Sequence, residues 1–135
     1  MHDAWHFWGG DLAVSSSGDI YVADQMTTGE QRVLRRLLTN QQLKDSSNQP
    51  QASADYIFHP TYGAGLPRMV GMPVDIAATN AVIVAQMAKE QAVARLPLPV
   101  IQVTPFSNGN GLNANIAYND ASSLTPVILD FDVNR

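Results

Sequence analysis

The chain has 135 residues, a hydrophobic fraction of 45% and a formal net charge of -4. That is one domain with an ordinary core content, so neither two comfortable domains nor wholesale disorder is expected. The acidic balance argues against a nucleic-acid partner, since no face has surplus Lys or Arg to release counterions, and the lack of cysteine removes disulfides, thiolate nucleophiles and zinc–thiolate sites together.

In chain order, the opening carries Trp5, Phe7 and Trp8, then Gly9 and Gly10. Met1-His2-Asp3-Ala4-Trp5 lacks the basic and then apolar blocks of a secretory signal. Two short apolar runs, 11–14 and 19–22, flank a polar link ending in Gly18, which predicts an N-terminal β-hairpin. The first helix is expected over about 28–40. Thr27 with Glu30, or Thr28 with Gln31, has the spacing of a capping box, and Val33, Leu34, Leu37 and Leu38 recur at helical spacing. Arg32, Arg35 and Arg36 lie mostly off that stripe, on a solvated face or at a contact with another protein. Residues 41–54 are rich in Ser, Gln and Asn and read as a long surface loop, a length that is usually either functional or mobile.

The segment 55–66 reads D-Y-I-F-H-P-T-Y-G-A-G-L. Tyr56, Ile57 and Phe58 suit a strand. Pro60 pushes His59 away from helical geometry, and Gly63 and Gly65 permit backbone angles that a side chain forbids. A strand followed by a rigid structural turn at Pro60, Gly63 and Gly65 is expected. A second helix is expected over about 75–95, with Ile76, Ile83, Met87 and Ala94 on one line and further apolar residues on both flanks. Lys89 and Arg95, near its end, suit the helix dipole. A long helix apolar over most of its circumference is buried on more than one side, so a partner chain is expected to cover what the small domain cannot. Arg32, Arg35, Arg36, Ile83, Met87 and Arg95 are the candidate interface residues. Strands are then expected at 100–104, 112–118 and 126–133, an antiparallel meander with Val127, Leu129 and Phe131 on one face. The whole is a single α+β domain over 1–135: an N-terminal β-hairpin, two helices and the meander, with a polar insertion at 41–54. No stretch reaches the roughly 18 apolar residues of a membrane span, so a soluble chain, made in the cytoplasm and not exported by itself, is expected.

Chemistry-bearing residues are sparse. Only Glu30 and Glu90 are glutamates, one at the start of a helix and one near the end of another, whereas a glycosidase needs two carboxylates facing each other across a cleft. His2 and His6 are four apart, a metal-ligand spacing on a helix, but no helical pattern underlies them. His59 reads as a packing residue in its turn. Gly63-Ala64-Gly65 lacks the helix that a phosphate loop opens into. No catalytic residue, metal or cofactor is expected.

The ordered series W-G-G-D-L, G-D-I-Y-V-A-D, E-Q-R-V-L-R-R-L-L-T-N and D-Y-I-F-H-P-T-Y-G-A-G-L resembles the small baseplate wedge proteins of contractile phage tails. These include the Mu-type tail proteins and the T-even lysozyme-like-named wedge family, with kin in type VI secretion baseplates. The resemblance covers about residues 5–95 and extends loosely to the C-terminal strands. It implies a structural virion component, not an enzyme despite the inherited label. The expected location is the tail baseplate, in multiple copies of a symmetric assembly. Other wedge proteins and the tail sheath protein are the implied partners, and helping to start the sheath the implied task. Terminal strands of such proteins add to a neighbour's sheet. Two departures stand out: relatives use a short Pro-Gly-type turn where this chain inserts 41–54, and of their Glu-Pro-Arg motif after the second helix only Arg95 and a proline survive. A tail-associated peptidoglycan hydrolase and a small adaptor of a contractile secretion machine are the alternatives.

Overall fold

The computed structural model describes residues 3–6 and 12–134. The fold is α+β. Helix α1 (Gln25–Leu38) leads to a small antiparallel pair, β1 (Leu43–Lys44) and β2 (Pro50–Ala52). A 3-10 turn at Leu66–Met69 and helix α2 (Ile76–Met87) follow, then β3 (Val100–Pro105), β4 (Gly111–Asn119) and β5 (Pro126–Asn134). The last three form one antiparallel sheet in the order β3-β4-β5, the expected meander.

The sheet has two unlike faces because side chains alternate along a strand. Ile101, Ile116 and Leu129 form one inward row; Val103, Ala114 and Phe131 form the next, and Pro105, Leu112 and Val133 another. These rows meet Val33, Leu37 and Leu38 of α1, Leu66, and Ile83 and Met87 of α2 in one core. Ile83 and Leu37 are wholly buried there. Ile83 and Met87, expected at an interface, thus lie inside the chain's own core. The large apolar residues that α2 leaves exposed are Ile76 and Val84.

Four expectations are corrected. The hairpin lies after α1, not at the N-terminus. There the described residues form only isolated antiparallel bridges, Ala4 with Val22, His6 with Leu12 and Val14 with Ile20; Asp11 and residues 7–10 lie outside the described residues. Leu12, Val14, Ile20, Tyr21 and Val22 are all exposed, so neither face of the alternation is covered and no burial pins a longer register. The 41–54 loop contains the hairpin instead. Its turn is made by the Asp45 carboxylate, which accepts from the Ser47 and Gln49 backbone N–H at 2.8 Å each, and by Asn48 at φ 63.

Residues 56–58 are a turn, not a strand: His59 N–H donates to the Tyr56 carbonyl and Tyr62 N–H to the His59 carbonyl. No strand among the described residues pairs with them. Finally, α2 stops at Met87. Beyond it the backbone tightens, with Lys89 N–H donating to Gln86 and Glu90 N–H to Met87. The chain then pairs with the end of β4, through Ala94 N–H to the Asn119 carbonyl at 2.8 Å and Ala121 N–H to Ala92 at 2.9 Å. This long-range pairing competes successfully with continued helix. At the other end, α1 starts three residues earlier than expected because Asp24, not a threonine, is its cap, accepting from Thr27 N–H at 2.7 Å.

Candidate functional site

The C-terminal half of α1 carries the three arginines, and the structure gives them separate tasks. Arg32 Nη2 lies 2.7 Å from Glu90 Oε1, and Arg36 Nε donates to Glu90 Oε2 at 3.0 Å. Glu90 is 2% exposed, so one buried carboxylate holds two guanidinium groups. Arg36 reaches further: Nη1 donates to Gln86 Oε1 at 3.4 Å, and its guanidinium carbon stands 4.3 Å from the centre of the Tyr62 ring. The junction therefore ties α1, the end of α2 and the 55–66 turn together. Arg35 points elsewhere, pairing at 3.0 Å with Asp3, whose carboxyl it holds below the usual value.

The turn closes onto the end of α1. Ala64 N–H donates to the Arg36 carbonyl at 2.9 Å, and Gly65 N–H to the Thr39 carbonyl at 3.0 Å, so the turn satisfies carbonyls that the helix end leaves open. Gly63 has φ +110, and a Cβ on it would stand 2.1 Å from the Thr39 oxygen. Only glycine fits there. Gly65, at φ +70, begins the 3-10 turn and has more room. Pro60 accepts from Gln42 N–H at 2.8 Å, which fastens the tip of the turn to the strand of chain leaving α1.

The tip presents apolar side chains outward. Ile57 and Phe58 are 72% and 78% exposed. Phe58 is held by a neighbouring ring. Tyr56 makes edge-on contacts with Phe58, His59 and Tyr62, with centroids 6.3, 4.8 and 6.0 Å away. Tyr62 is in turn capped by Arg36. A second apolar surface lies between α2 and β3, where Leu96 and Leu98 are exposed beside a cavity of about 180 Å³ lined by Val84, Ala88, Val93, Leu98, Pro99 and Arg95. That volume suits one inserted side chain rather than a small-molecule substrate. Arg95 lies beyond α2 and not within it as expected, but its side chain folds back to donate to the Ala88 carbonyl at the helix end.

The two glutamates are not brought together as an acid–base pair. Glu90 is occupied by Arg32 and Arg36. Glu30 lies near the start of α1, its carboxyl pushed up by burial and by the nearby Asp24 charge. Among the described residues no group of three or more His, Asp and Glu side chains is placed to hold a metal, and His2 lies outside them. Sequence reading missed two anchors. One is Glu90, which looked like an ordinary residue near a helix end; two arginines at i and i+4 facing a buried acid leave no local pattern. The other is Gln31, whose Oε1 accepts from His6 N–H at 2.9 Å and whose Nε2 donates to the Ala4 carbonyl at 3.2 Å, fixing the N-terminal segment on α1.

Neither a protein-family model, a curated protein nor a solved structure matches the chain.

Proposed function

We propose that this chain is a structural component of a contractile-tail baseplate wedge, working by contact with other wedge subunits and helping to start the sheath. The observation that carries the reading is the outward display of Phe58, held by the Tyr56 ring, with the exposed Ile57 beside it. It falls inside the same segment, D-Y-I-F-H-P-T-Y-G-A-G-L, that carries the resemblance. Aromatic side chains such as Phe are enriched at protein interfaces, and exposed apolar groups side by side mark contact surfaces. The exposed Ile76 and Val84 on α2 fit the same account, since an apolar helix flank calls for a covering chain. So does the meander, whose strands β3 and β5 pair on one side only among the described residues and suit addition of a neighbour's strand.

The test is the composition of purified tails. The chain is expected in the baseplate, beside the first sheath ring, in symmetric copies, and Phe58→Ser is expected to abolish its incorporation while the isolated protein stays folded. Tails that lack the chain, or a chain found in the head, would overturn the reading. The hydrolase alternative draws on one observation, the raised Glu30 carboxyl, which a general acid requires. It demands cell-wall clearing by the wild type that Glu30→Gln removes; we expect no clearing from either.

A further inference from the structure

The turn between β3 and β4 holds the chain's two Asn-Gly steps, Asn108-Gly109 and Asn110-Gly111. Both have the same latent chemistry. The backbone nitrogen of the glycine can attack the side-chain carbonyl carbon of the asparagine before it, and a glycine, without a Cβ, leaves that approach open. The fold holds the two steps differently. At Asn108 both reacting groups are occupied: its Oδ1 accepts from the Asn110 backbone N–H at 3.0 Å, and the Gly109 N–H donates to the Phe106 carbonyl at 3.1 Å. At Asn110 neither is. Its side chain is exposed and makes no hydrogen bond among the described residues. The Gly111 N–H likewise reaches no acceptor among them, although the Gly111 carbonyl accepts from Phe106 N–H at 2.9 Å. Residues paired in this way ordinarily exchange both bonds, but the Phe106 carbonyl is already taken by Gly109. The glycine itself cannot be replaced, because a Cβ on Gly111 would stand 2.2 Å from the Val133 oxygen.

We propose that Asn110 is a site of spontaneous deamidation, and that the fold directs the reaction there and away from Asn108. The Gly111 nitrogen gives its proton to solvent and bonds to Asn110 Cγ. The Cγ–Nδ2 bond breaks, and the amide nitrogen leaves as ammonia with a proton from water. A five-membered succinimide remains. Water then opens that ring at one of its two carbonyls. Opening at Cγ leaves the main chain as it was and makes aspartate; opening at the backbone carbonyl makes isoaspartate, in which the main chain runs through Cβ and Cγ. The sum consumes one water and releases one ammonia. Either product puts a carboxylate where a neutral amide stood, taking the formal net charge from -4 to -5. Isoaspartate also adds one carbon to the main chain just before Gly111, where the backbone packs closely on Val133 and Asn134. The first rung between β4 and β5 is therefore the part of the sheet that the modification loosens. The reaction needs only water and no partner chain, so it is independent of the baseplate reading.

The test is to age the full chain in mildly alkaline buffer, folded and in urea, and to follow it by anion exchange and peptide mass mapping. In the folded chain the acidic form carrying the change at Asn110 is expected to accumulate about tenfold faster than the one at Asn108, which must give up two hydrogen bonds before it can react. In urea those bonds are gone, and the two steps should react within about twofold of each other. Asn110→Ser should remove the early acidic form, and Asn108→Ser should leave it. Both side chains are exposed, so the fold is expected to survive either change. NMR of the aged chain should show the amide signals of Phe106, Gly111, Val133 and Asn134 displaced. Four results would overturn the proposal: Asn108 reacting first or equally in the folded chain, the same preference for Asn110 in urea, no conversion of the folded chain over a time in which urea converts it, or an early acidic form that survives Asn110→Ser.

Discussion

The meander and the 55–66 turn start from similar residues and end as opposites. Both hold consecutive branched and aromatic side chains, Val100-Ile101 and Val127-Ile128-Leu129 in one, Tyr56-Ile57-Phe58 in the other. In the meander every second residue faces a shared core, and three strands supply each other's backbone partners. At residues 56–58 no strand among the described residues lies alongside, and the same residue types stand exposed. Strand propensity is thus a statement about a pleated, half-buried setting, not about the residues alone. What fixes the turn is instead a set of single contacts: a glycine against a carbonyl, an arginine over a ring, a carboxylate between two helices.

That contrast predicts different fragility. A contact-built region should fail at single atoms, whereas a sheet spreads its losses. The largest effect is expected from Gly63→Val, where a Cβ 2.1 Å from the Thr39 oxygen and a positive φ act together. A loss of about 4 kcal/mol or more in urea unfolding is anticipated. Gly65→Val, with room for a side chain but still at φ +70, should cost about 1–2 kcal/mol. If the two variants behave alike, close approach to α1 is not what sets the turn.

Next comes Glu90→Gln. It strips both ion pairs from a site that is 2% exposed and leaves Arg36 largely buried without its counter-charge. About 3 kcal/mol should be lost. The double change with Arg36→Met should recover part of that, because an apolar stem can occupy the place of an unpaired guanidinium; no recovery would mean that the Tyr62 contact, not the ion pair, is what matters.

The meander's own weak point is electrostatic. Burial pushes the Asp120 carboxyl up, but donors from Ser122 and Ser123, all converging on one oxygen, outweigh it and hold the group below the usual carboxylate range. A carboxylate with a lowered folded pKa contributes stability above its unfolded value, and that contribution is lost as pH falls through the folded one. Stability should therefore decline below about pH 4, and Asp120→Asn should flatten that decline. An unchanged acid limb in urea midpoints would assign it to other carboxylates. The smallest effect is expected for Arg35→Ala. Both partners of its pair with Asp3 are well exposed, so less than about 0.5 kcal/mol should be lost.

The same contrast explains what could be read from the chain beforehand. The meander was legible because alternation of period two is written residue by residue, and the Asn-Gly turn between β3 and β4 punctuates it. Helix α1 was legible from its stripe, off by three residues because two plausible threonine caps stood beside the true one at Asp24. The end of α2 was not, since what stops it is pairing with Asn119 and Asp120, some thirty residues away, and no glycine or proline marks the place. Of the candidate interface, the apolar stripe of α2 gave Ile83 and Met87 but not which way they face. Helical spacing reports a side, and only tertiary packing decides whether that side looks in or out.

One feature of the 41–54 excursion carries a practical consequence. Its two ends are drawn together: Asp55 N–H donates to the Asn40 carbonyl, the Asp55 carboxylate accepts from Asn40 N–H at 2.7 Å, and Arg68 spans the gap, donating to the carbonyls of Gln41 and Ser53. The domain thus feels this excursion through its neck and not through its length. Because closing a longer loop on a fixed neck costs only about 0.6 kcal/mol per doubling, the hairpin tip at Ser46 and Ser47 is a natural graft point. A fluorescent or affinity tag spliced there would report on the protein without disturbing either the turn or the sheet, and trimming the excursion to a short linker would leave a minimal domain of the same shape.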